Sequence, residues 1–431
     1  MYPTLRWPAA PADPLPVPTI EMMIPAFTAD YQRLWWACRS DLPEFEYRYT
    51  PDQQAEHEKR LDGLVTELKH VPPGEEARRA WQQRLRPVFG QFARDIFHLQ
   101  PQQLEYIEST GLLAAGRSFG QMARQFDPQI SAEDIYQAGR NVSVANLIQL
   151  LLGLPVRVTP SIFAYSMLYP YSDNYLDDPD VPGSAKAAFN QRFRRRLLGE
   201  PVEPANPAEA AIHALIQMIE GEWDRTQYPQ VYDSLLAIHS AQARSLALVA
   251  PNLSPFEVDI LGISFEKGGA SVLADGYLAA GTLTTAQARV LFGFGALTQL
   301  MDDLEDTRSD RQANRASVFS VTAPGWKLDG LSHRFIQFGR QIVSDLNAFE
   351  AADVPRLAEV LTTCADIMLL NPVGRAAEFF SPAGLARLEA HMPLRFAALN
   401  KPRQQPSLGR EQPSLGREHP GLGRLLDALL A

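Results

Sequence analysis

Two short stretches of the chain combine several aspartates at helical spacing, a pattern that can bind divalent cations. In the first, Y-S-D-N-Y-L-D-D-P-D from Tyr171 to Asp180, Asp173 and Asp177 lie four residues apart and Asp178 follows them. Residues four apart project from the same side of a helix, so both carboxylates would face one ligand. Mg²⁺ prefers such oxygen ligands, and when it is bound by a few carboxylates it keeps positions open for phosphate groups.

The second stretch, Q-L-M-D-D-L-E-D-T-R-S-D-R, runs from Gln299 to Arg311. Asp302 and Asp306 share one helical face, Asp303 precedes Asp306 by three residues, and Asp310 lies one turn further on. Carboxylates this close repel one another, and each raises the pKa of the others unless a cation lies between them. The predicted metal ligands of the two stretches are Asp173, Asp177, Asp178, Asp302, Asp303 and Asp306. Asp310 is a second-choice ligand.

Each acidic stretch follows an apolar, aromatic run, S-I-F-A-Y-S-M-L-Y-P-Y before the first and V-L-F-G-F-G-A-L-T-Q-L-M before the second. That placement favours the rim of an apolar cavity. The ordinary alternative is that the carboxylates only make a helix end soluble. A calcium loop of the EF-hand type is excluded for the first stretch, because its sixth position requires Gly and holds Asp178.

A single lysine lies in an otherwise apolar helical stretch, S-F-E-K-G-G-A-S-V-L-A from Ser264 to Ala274. Burying Lys267 is costly unless it meets an anion. The small residues Gly268 and Gly269 beside it would allow a bulky group to approach closely. The alternative is a lysine whose ammonium group reaches the surface along its aliphatic stem.

The composition narrows the range of partners. The chain has 431 residues, a formal net charge of -10 and 45% hydrophobic residues. This acidic balance argues against nucleic acid as a partner, since a nucleic-acid binder needs a basic face. The apolar runs fall short of the ~20 residues of a membrane span, and the first twenty residues lack the apolar core of a signal peptide. Only Cys38 and Cys364 are present, which predicts reduced thiols and a cytoplasmic location.

Three regions differ in composition. Residues 1–19 are rich in proline and predict an extended arm. Residues 401–431 contain the repeat Q-P-S-L-G-R-E and predict a flexible tail. Residues 20–400 carry helical periodicity without strand-like alternation, which predicts one all-α domain. The clearest helical stretches are 131–153, 160–178, 207–222, 231–250, 256–280, 284–308 and 330–350.

The motifs together resemble those of the class I isoprenoid synthases over about 130–350. T-Q-L-M-D-D-L-E-D, Thr298 to Asp306, is similar to the second aspartate-rich motif of trans-prenyltransferases, F-Q-x-x-D-D-x-x-D. E-K-G-G-A-S, Glu266 to Ser271, is similar to their K-T-G helix. D-N-Y-L-D, Asp173 to Asp177, looks like the D-x-x-x-D motif of squalene synthases and large bacterial terpene synthases.

This resemblance implies a single helical bundle around a central apolar cavity, with a prenyl diphosphate as substrate. It implies about three Mg²⁺ ions between the acidic stretches, with open positions for the diphosphate. A homodimer is compatible with it. The residues it assigns to catalysis are Asp173, Asp177, Asp302 and Asp306, and those it assigns to the diphosphate are Lys267, Arg308, Arg311 and Arg315. Aromatic candidates for stabilising a substrate cation are Phe163, Tyr165, Tyr169, Phe292 and Phe294.

Three departures from the family patterns narrow the expected reaction. Asp177 is not followed by the arginine pair that follows the first motif of chain-elongating enzymes. The stretch from Asp302 to Asp306 replaces the N-S-E/D-T-E motif of typical cyclases. The sequence also contains no D-x-D-D motif. The sequence therefore predicts a class I terpene synthase of an atypical branch. Two alternatives stay open, a prenyltransferase that joins prenyl diphosphates and a non-catalytic helical protein that binds an isoprenoid.

Overall fold

The computed structural model describes residues 19–68, 72, 74–177, 181–250 and 253–400. The proline-rich residues 1–18, the repeated tail 401–431 and Asp178 lie outside the described residues. Within the described part the chain is α-helical and forms no β-strand, so the predicted all-α fold is confirmed.

The helices of the described residues follow one another along the chain, numbered from the N-terminus. They are α1 (Ile20–Ala37), α2 (Pro51–Leu68), α3 (Glu75–Phe97), α4 (Pro101–Ser109), α5 (Leu112–Phe126), α6 (Ala132–Leu151), α7 (Pro160–Asp177), α8 (Gly183–Leu197), α9 (Pro207–Glu222), α10 (Pro229–Ser245), α11 (Ile260–Ala280), α12 (Thr285–Glu305), α13 (Thr307–Gln312), α14 (Val318–Thr322), α15 (Asp329–Ser344), α16 (Val354–Arg375), α17 (Pro382–Glu389) and α18 (Phe396–Leu399). Short 3₁₀ turns follow α10 at Leu246–Leu248 and α16 at Ala377–Phe379.

Local capping explains where several predicted helices begin. The hydroxyl of Ser131 accepts a hydrogen bond from the Asp134 backbone N–H at the start of α6, 3.0 Å long. Thr284 and Gln287 form a reciprocal capping box at the start of α12. Each side chain satisfies a backbone donor that the helix itself leaves unpaired.

Three predicted helices end earlier than their periodicity indicated. The stretch 231–250 leaves α-helical geometry after Ser245, and the stretch 330–350 ends at Ser344. The stretch 284–308 ends at Glu305, and Asp306 caps both the end of α12 and the start of α13. The helix is therefore interrupted at one residue inside the second aspartate stretch.

Helix α11 is the centre of the bundle and packs against α1, α6, α7, α10 and α12. Nearly all of its side chains are buried. Its closest neighbour is α12, and the backbones of the two helices touch where Gly268 faces Gly295. A Cβ on Gly268 would collide with the carbonyl oxygen of Gly295, and one on Gly269 would collide with the ring of Phe292. The small residues beside Lys267 therefore accommodate α12, where the sequence had indicated room for a ligand.

The main hydrophobic cluster runs from Ile20 in α1 to Leu399 in α18 and includes side chains of most helices. Among the described helices, α16 is long and apolar enough to cross a membrane by length and composition, with a mean hydropathy of 1.2. Half of that apolar window is buried against the rest of the chain, and core helices of soluble proteins pass the same test.

Candidate functional site

Two antiparallel contacts place the end of α7 level with the start of α11. Ser166 on α7 and Asp275 on α11 both accept hydrogen bonds from the Asn141 side-chain amide, at 3.0 and 2.9 Å. Tyr169 lies one turn after Ser166 on α7, and Ser271 lies one turn before Asp275 on α11. The hydroxyl groups of Tyr169 and Ser271 are 2.5 Å apart. Continuing this register by one more turn brings the backbone at position 173 level with Lys267.

Helix α12 runs antiparallel to α11 on another side of it. Gly268 faces Gly295 and Gln299, whereas Gly276, two turns later, faces Leu291, one turn earlier than Gly295. The end of α12 therefore lies beside the start of α11. The end of α7, the start of α11 and the end of α12 share one end of the bundle.

The first aspartate stretch lies only partly within the described residues. Asp173 and Asp177 belong to the last turns of α7, and their side chains lie outside what the structure describes, as does the whole of Asp178. The backbone register of α7 against α11 fixes the level of these turns along the bundle.

In the second stretch, Asp302 is paired with an arginine from α6. The Arg140 guanidinium donates to an Asp302 carboxylate oxygen at 3.1 Å, and both side chains are about half exposed. The neighbouring carboxylate raises the pKa of Arg140 above its ordinary value. Arg140 is exposed at the surface and is at the same time the described cation that pairs with Asp302.

Asp303 points into the protein and is 7% exposed. Burial raises its pKa to about 6, although the Gln299 amide, which donates to one oxygen at 2.8 Å, the Ser264 hydroxyl and the charge of Lys267 act in the opposite direction. The other oxygen, Oδ2, is buried and has no hydrogen-bond partner among the described residues. A buried carboxylate oxygen without a partner is costly and requires an explanation.

Asp310 is the second buried carboxyl of this stretch. Asp310 lies on α13, seven residues after Asp303, and is 7% exposed. Burial, together with the charges of Asp303 and Asp306, raises its pKa to about 7, while Arg315 and Lys267 oppose the shift. The Arg315 guanidinium lies 4.0 Å from the Asp310 carboxylate.

Lys267 faces this pair of carboxyls from α11. It is partly buried, and its charge lowers the pKa of both Asp303 and Asp310. Within the described residues it forms no ion pair closer than 4 Å. Its neighbour Glu266 is occupied, since it pairs with Arg244 of α10.

The three predicted diphosphate-binding arginines are divided between two surroundings. Arg308 forms a forked ion pair with Glu378, with one N–H···O distance of 2.8 Å, and Arg311 lies over the Phe379 ring at 5.5 Å from its centroid. Arg315 lies beside Asp310. The structure therefore brings Arg315, Lys267 and the carboxyls of α12 and α13 together, and directs Arg308 and Arg311 toward the turn after α16.

The residues at this end partly fit a magnesium ion. The donors are carboxylate oxygens, and the unpartnered Oδ2 of Asp303 leaves one of them unsatisfied. The described side chains alone contain no group of three or more carboxylate, histidine or cysteine ligands arranged to hold a metal. A magnesium site here therefore requires carboxylates from the end of α7 in addition to those of α12.

Comparison of the chain with protein-family models, with curated proteins and with solved structures finds no match. The resemblance therefore rests on the motifs alone.

The aromatic candidates for stabilising a cation are mostly core residues. Phe163 packs on Phe119 and Phe126, and Phe292 packs on Phe27 and Tyr31. Tyr165 and Tyr169 line a cavity of about 50 Å³ between α7, α8 and α10, while Phe294 is partly buried on α12. That volume holds a water molecule or two, whereas ligand pockets typically measure about 300–1,000 Å³.

A buried polar group that the sequence patterns did not reveal lies next to these tyrosines. Asp275 is fully buried, and burial raises its pKa well above the ordinary value. It accepts a hydrogen bond from Asn141, and its second oxygen has no partner in the described part of the chain. A lone aspartate in the apolar run S-V-L-A-D-G-Y-L-A-A was the available signal.

Proposed function

We propose that the chain is a Mg²⁺-dependent class I terpene synthase, which ionises a prenyl diphosphate and cyclises or rearranges the resulting allylic cation. The proposal is carried by the clustering of Asp303 and Asp310 around Lys267, next to Asp302 and at the end of the bundle where α7 ends in Asp173 and Asp177. Such a mixture of carboxylates and a lysine suits a diphosphate bridged by divalent cations.

In this proposal the carboxylates of Asp173, Asp177, Asp302 and Asp306 hold the metal. When bound, Mg²⁺ would neutralise the charge that develops on the departing diphosphate. Lys267 donates to the diphosphate oxygens from α11, and Arg315 adds a second cationic donor beside it. Asp303 lies within reach of the charge of Lys267, and its buried Oδ2, which has no hydrogen-bond partner among the described residues, would be a further metal ligand.

The hydrocarbon part of the substrate would lie below these groups, between α7, α8 and α10, where the 50 Å³ cavity lies. An allylic cation must be kept away from water, which would react with it. Tyr165, Tyr169 and their neighbours around the 50 Å³ cavity are the side chains that must rearrange to admit a prenyl chain. Their ring faces can stabilise a positive charge by about 1–2 kcal/mol each when desolvated.

The test measures release of inorganic diphosphate from farnesyl, geranylgeranyl and longer prenyl diphosphates in the presence of Mg²⁺. Asp173→Asn and Asp302→Asn should each lower the rate at least about 100-fold, because each removes a group that stabilises the leaving diphosphate. Asp52→Asn, an equal change of charge on the exposed start of α2, serves as the control and should retain the full rate. Unchanged release in both site variants would disprove the proposal.

A prenyltransferase that joins prenyl diphosphates would use the same acidic end. The same substrates are therefore incubated alone and with isopentenyl diphosphate, and the products are separated by mass. Products heavier than the substrate hydrocarbon assign the chain to the transferases, whereas cyclic or rearranged products of one substrate assign it to the terpene synthases.

A non-catalytic helical protein that binds an isoprenoid is the second candidate, and one observation favours it. The described side chains form no three-ligand group that could hold a catalytic metal. Such a protein would gain thermal stability with Mg²⁺ or an isoprenoid and release no diphosphate at any chain length.

A further inference from the structure

A cavity of about 470 Å³ lies at a part of the bundle that shares no lining residue with the aspartate stretches. Its walls come from the segment between α1 and α2, the end of α3, the start of α4, one face of α16 and the turn after α17. The volume falls within the range of about 300–1,000 Å³ that small-molecule sites occupy.

Stacked aromatic rings form one wall of this cavity. The rings of Tyr47 and His98 are nearly parallel, with centroids 3.6 Å apart, and those of Phe45 and His391 stack at 4.4 Å. The Tyr49 hydroxyl hydrogen-bonds to Nε2 of His98. His98 has φ of 56°, a left-handed conformation that is uncommon outside glycine and is held here by its two tyrosine contacts.

The hydrogen bonds of the second stack orient it as well. Nδ1 of His391 donates to the Tyr47 carbonyl oxygen at 2.7 Å, so the two stacks are linked through the backbone. Burial lowers the pKa of His98, which keeps that imidazole neutral at pH 7. This wall is therefore aromatic, pre-arranged and carries no positive charge from His98.

The opposite wall is one face of α16, and it is acidic. Glu359, Thr363 and Asp366 recur there at helical spacing and line the cavity. Asp366 is neutralised by a forked ion pair with Arg340, at 2.7 and 2.8 Å. Glu359 has no ion-pair partner among the described residues, and Glu46 is the third carboxylate of the lining.

The charge of the lining decides which ligand fits. The described lining contains three carboxylates and no lysine or arginine of its own. Arg340, which lies 4.7 Å from the centroid of the Phe45 ring, is already paired with Asp366, so the net charge of the lining stays negative and disfavours an anionic ligand. A metal ion is not favoured either, since no three-ligand group occurs in the described part of the chain. We propose that this cavity binds a small organic cation, a protonated amine or quaternary ammonium, between the aromatic stacks and the Glu359 carboxylate.

Two general interactions would supply the affinity. A cation over an aromatic face gains about 0.5–2 kcal/mol, depending on how far it is desolvated. A carboxylate at the edge of the same pocket adds a charge-assisted contact and discriminates against neutral analogues of the same shape. This inference does not depend on the proposed terpene synthase activity.

The experiment measures binding by calorimetry at pH 7 with two series of matched probes. Tyramine is compared with the neutral tyrosol and with 4-hydroxyphenylacetate, and choline is compared with its neutral isostere 3,3-dimethylbutanol. At least one cation should bind about 10-fold or more tighter than its neutral analogue, and the acid should not bind.

Variants locate the bound cation. Glu359→Gln should weaken the binding of that cation about 3- to 10-fold, the effect expected for one exposed charge at the edge of the cavity. Glu105→Gln, the same change on the exposed face of α4 outside the cavity, should leave it unchanged. Equal binding of cation and neutral analogue, no binding of either cation up to about 10 mM, or an unaltered affinity in a folded Glu359→Gln variant would each overturn the proposal.

Discussion

The guanidinium of Arg140 on α6 donates a 3.1 Å hydrogen bond to the carboxylate of Asp302 on α12, joining residues 162 positions apart in the chain. The bond neutralises the aspartate that begins the second acidic stretch. Because both partners are about half exposed, solvent screens the pair and its contribution to folding is small. The main effect of the Arg140–Asp302 bond is therefore to reduce the negative charge that Asp302 can offer to a cation.

Replacing Arg140 with glutamine should free Asp302 for a divalent cation. We expect the unfolding free energy to change by no more than about 1 kcal/mol. We expect the Mg²⁺ concentration for half-maximal thermal stabilisation to fall about 3- to 5-fold, because the ion no longer displaces a bound guanidinium. Arg117→Gln on the exposed face of α5 is the control. A weaker response to Mg²⁺ in Arg140→Gln would mean that Asp302 is not a metal ligand.

The buried carboxyls of α12 and α13 should make the fold less stable as the pH rises. Asp303 and Asp310 have folded-state pKa values of about 6 and about 7, above the value of about 3.9 for an unfolded aspartate. The folded chain therefore holds these protons more tightly, and the stability they contribute is lost between about pH 4 and pH 7. Urea unfolding measured across this range without divalent cations checks the slope.

Lys267→Gln should extend that loss to higher pH. The lysine lowers the pKa of both carboxyls, so its removal raises both values further. The pH at which stability stops falling should move upward, whereas Lys59→Gln on the exposed face of α2 should leave the profile in place. An unchanged profile in Lys267→Gln would show that the lysine does not act on these groups.

Asp275→Asn should stabilise the protein at high pH. The carboxyl is fully buried and burial raises its pKa well above the ordinary value, so its stabilising contribution is complete below about pH 4 and disappears as the pH rises toward its folded-state pKa. An amide of the same shape keeps the acceptor for Asn141 and carries no charge. We expect a gain of more than about 1 kcal/mol at pH 8 and little change at pH 4. Destabilisation at both pH values would contradict this expectation.

Gly268→Ala should destabilise the bundle, because the added methyl group would collide with the Gly295 carbonyl oxygen. The expected loss is about 1–3 kcal/mol, typical of overpacking in a core. Gly120→Ala, within α5, is the matched control, since no atom lies within 4 Å of its added Cβ. The control should gain about 0.4–1 kcal/mol from the lower entropy of the unfolded chain. Thermal or urea unfolding of both variants gives the comparison.

The sequence predicted the helices well where their signals are local. Ser131 caps α6, and Asn206 caps α9 at Pro207, because a side-chain oxygen before a periodic run is visible without tertiary information. The break at Asp306 carried no such signal, since neither Gly nor Pro lies nearby. The sequence therefore predicted one helix over 284–308, which passes the observed end of α12 at Glu305 by three residues.

Contacts between distant helices lay beyond the sequence. The pairing of Arg140 with Asp302 depends on how α6 packs beside α12, and an arginine of this kind is indistinguishable in sequence from a surface residue. The glycines beside Lys267 carried a real signal of close approach, but only the packing shows that the approaching group is α12. Asp275 could have been noticed, since one charged residue in an apolar run needs a buried partner.

The direct backbone contact at Gly268 and Gly295 locks α11 and α12 into a rigid pair that carries Lys267 and Asp303 as a unit. A hinge that opens this end of the bundle therefore has to lie between that pair and the neighbouring helices α6 and α7. The Arg140–Asp302, Asn141–Asp275 and Tyr169–Ser271 bonds cross that boundary. The rate at which these three hydrogen bonds break would then limit the rate at which a large ligand could enter.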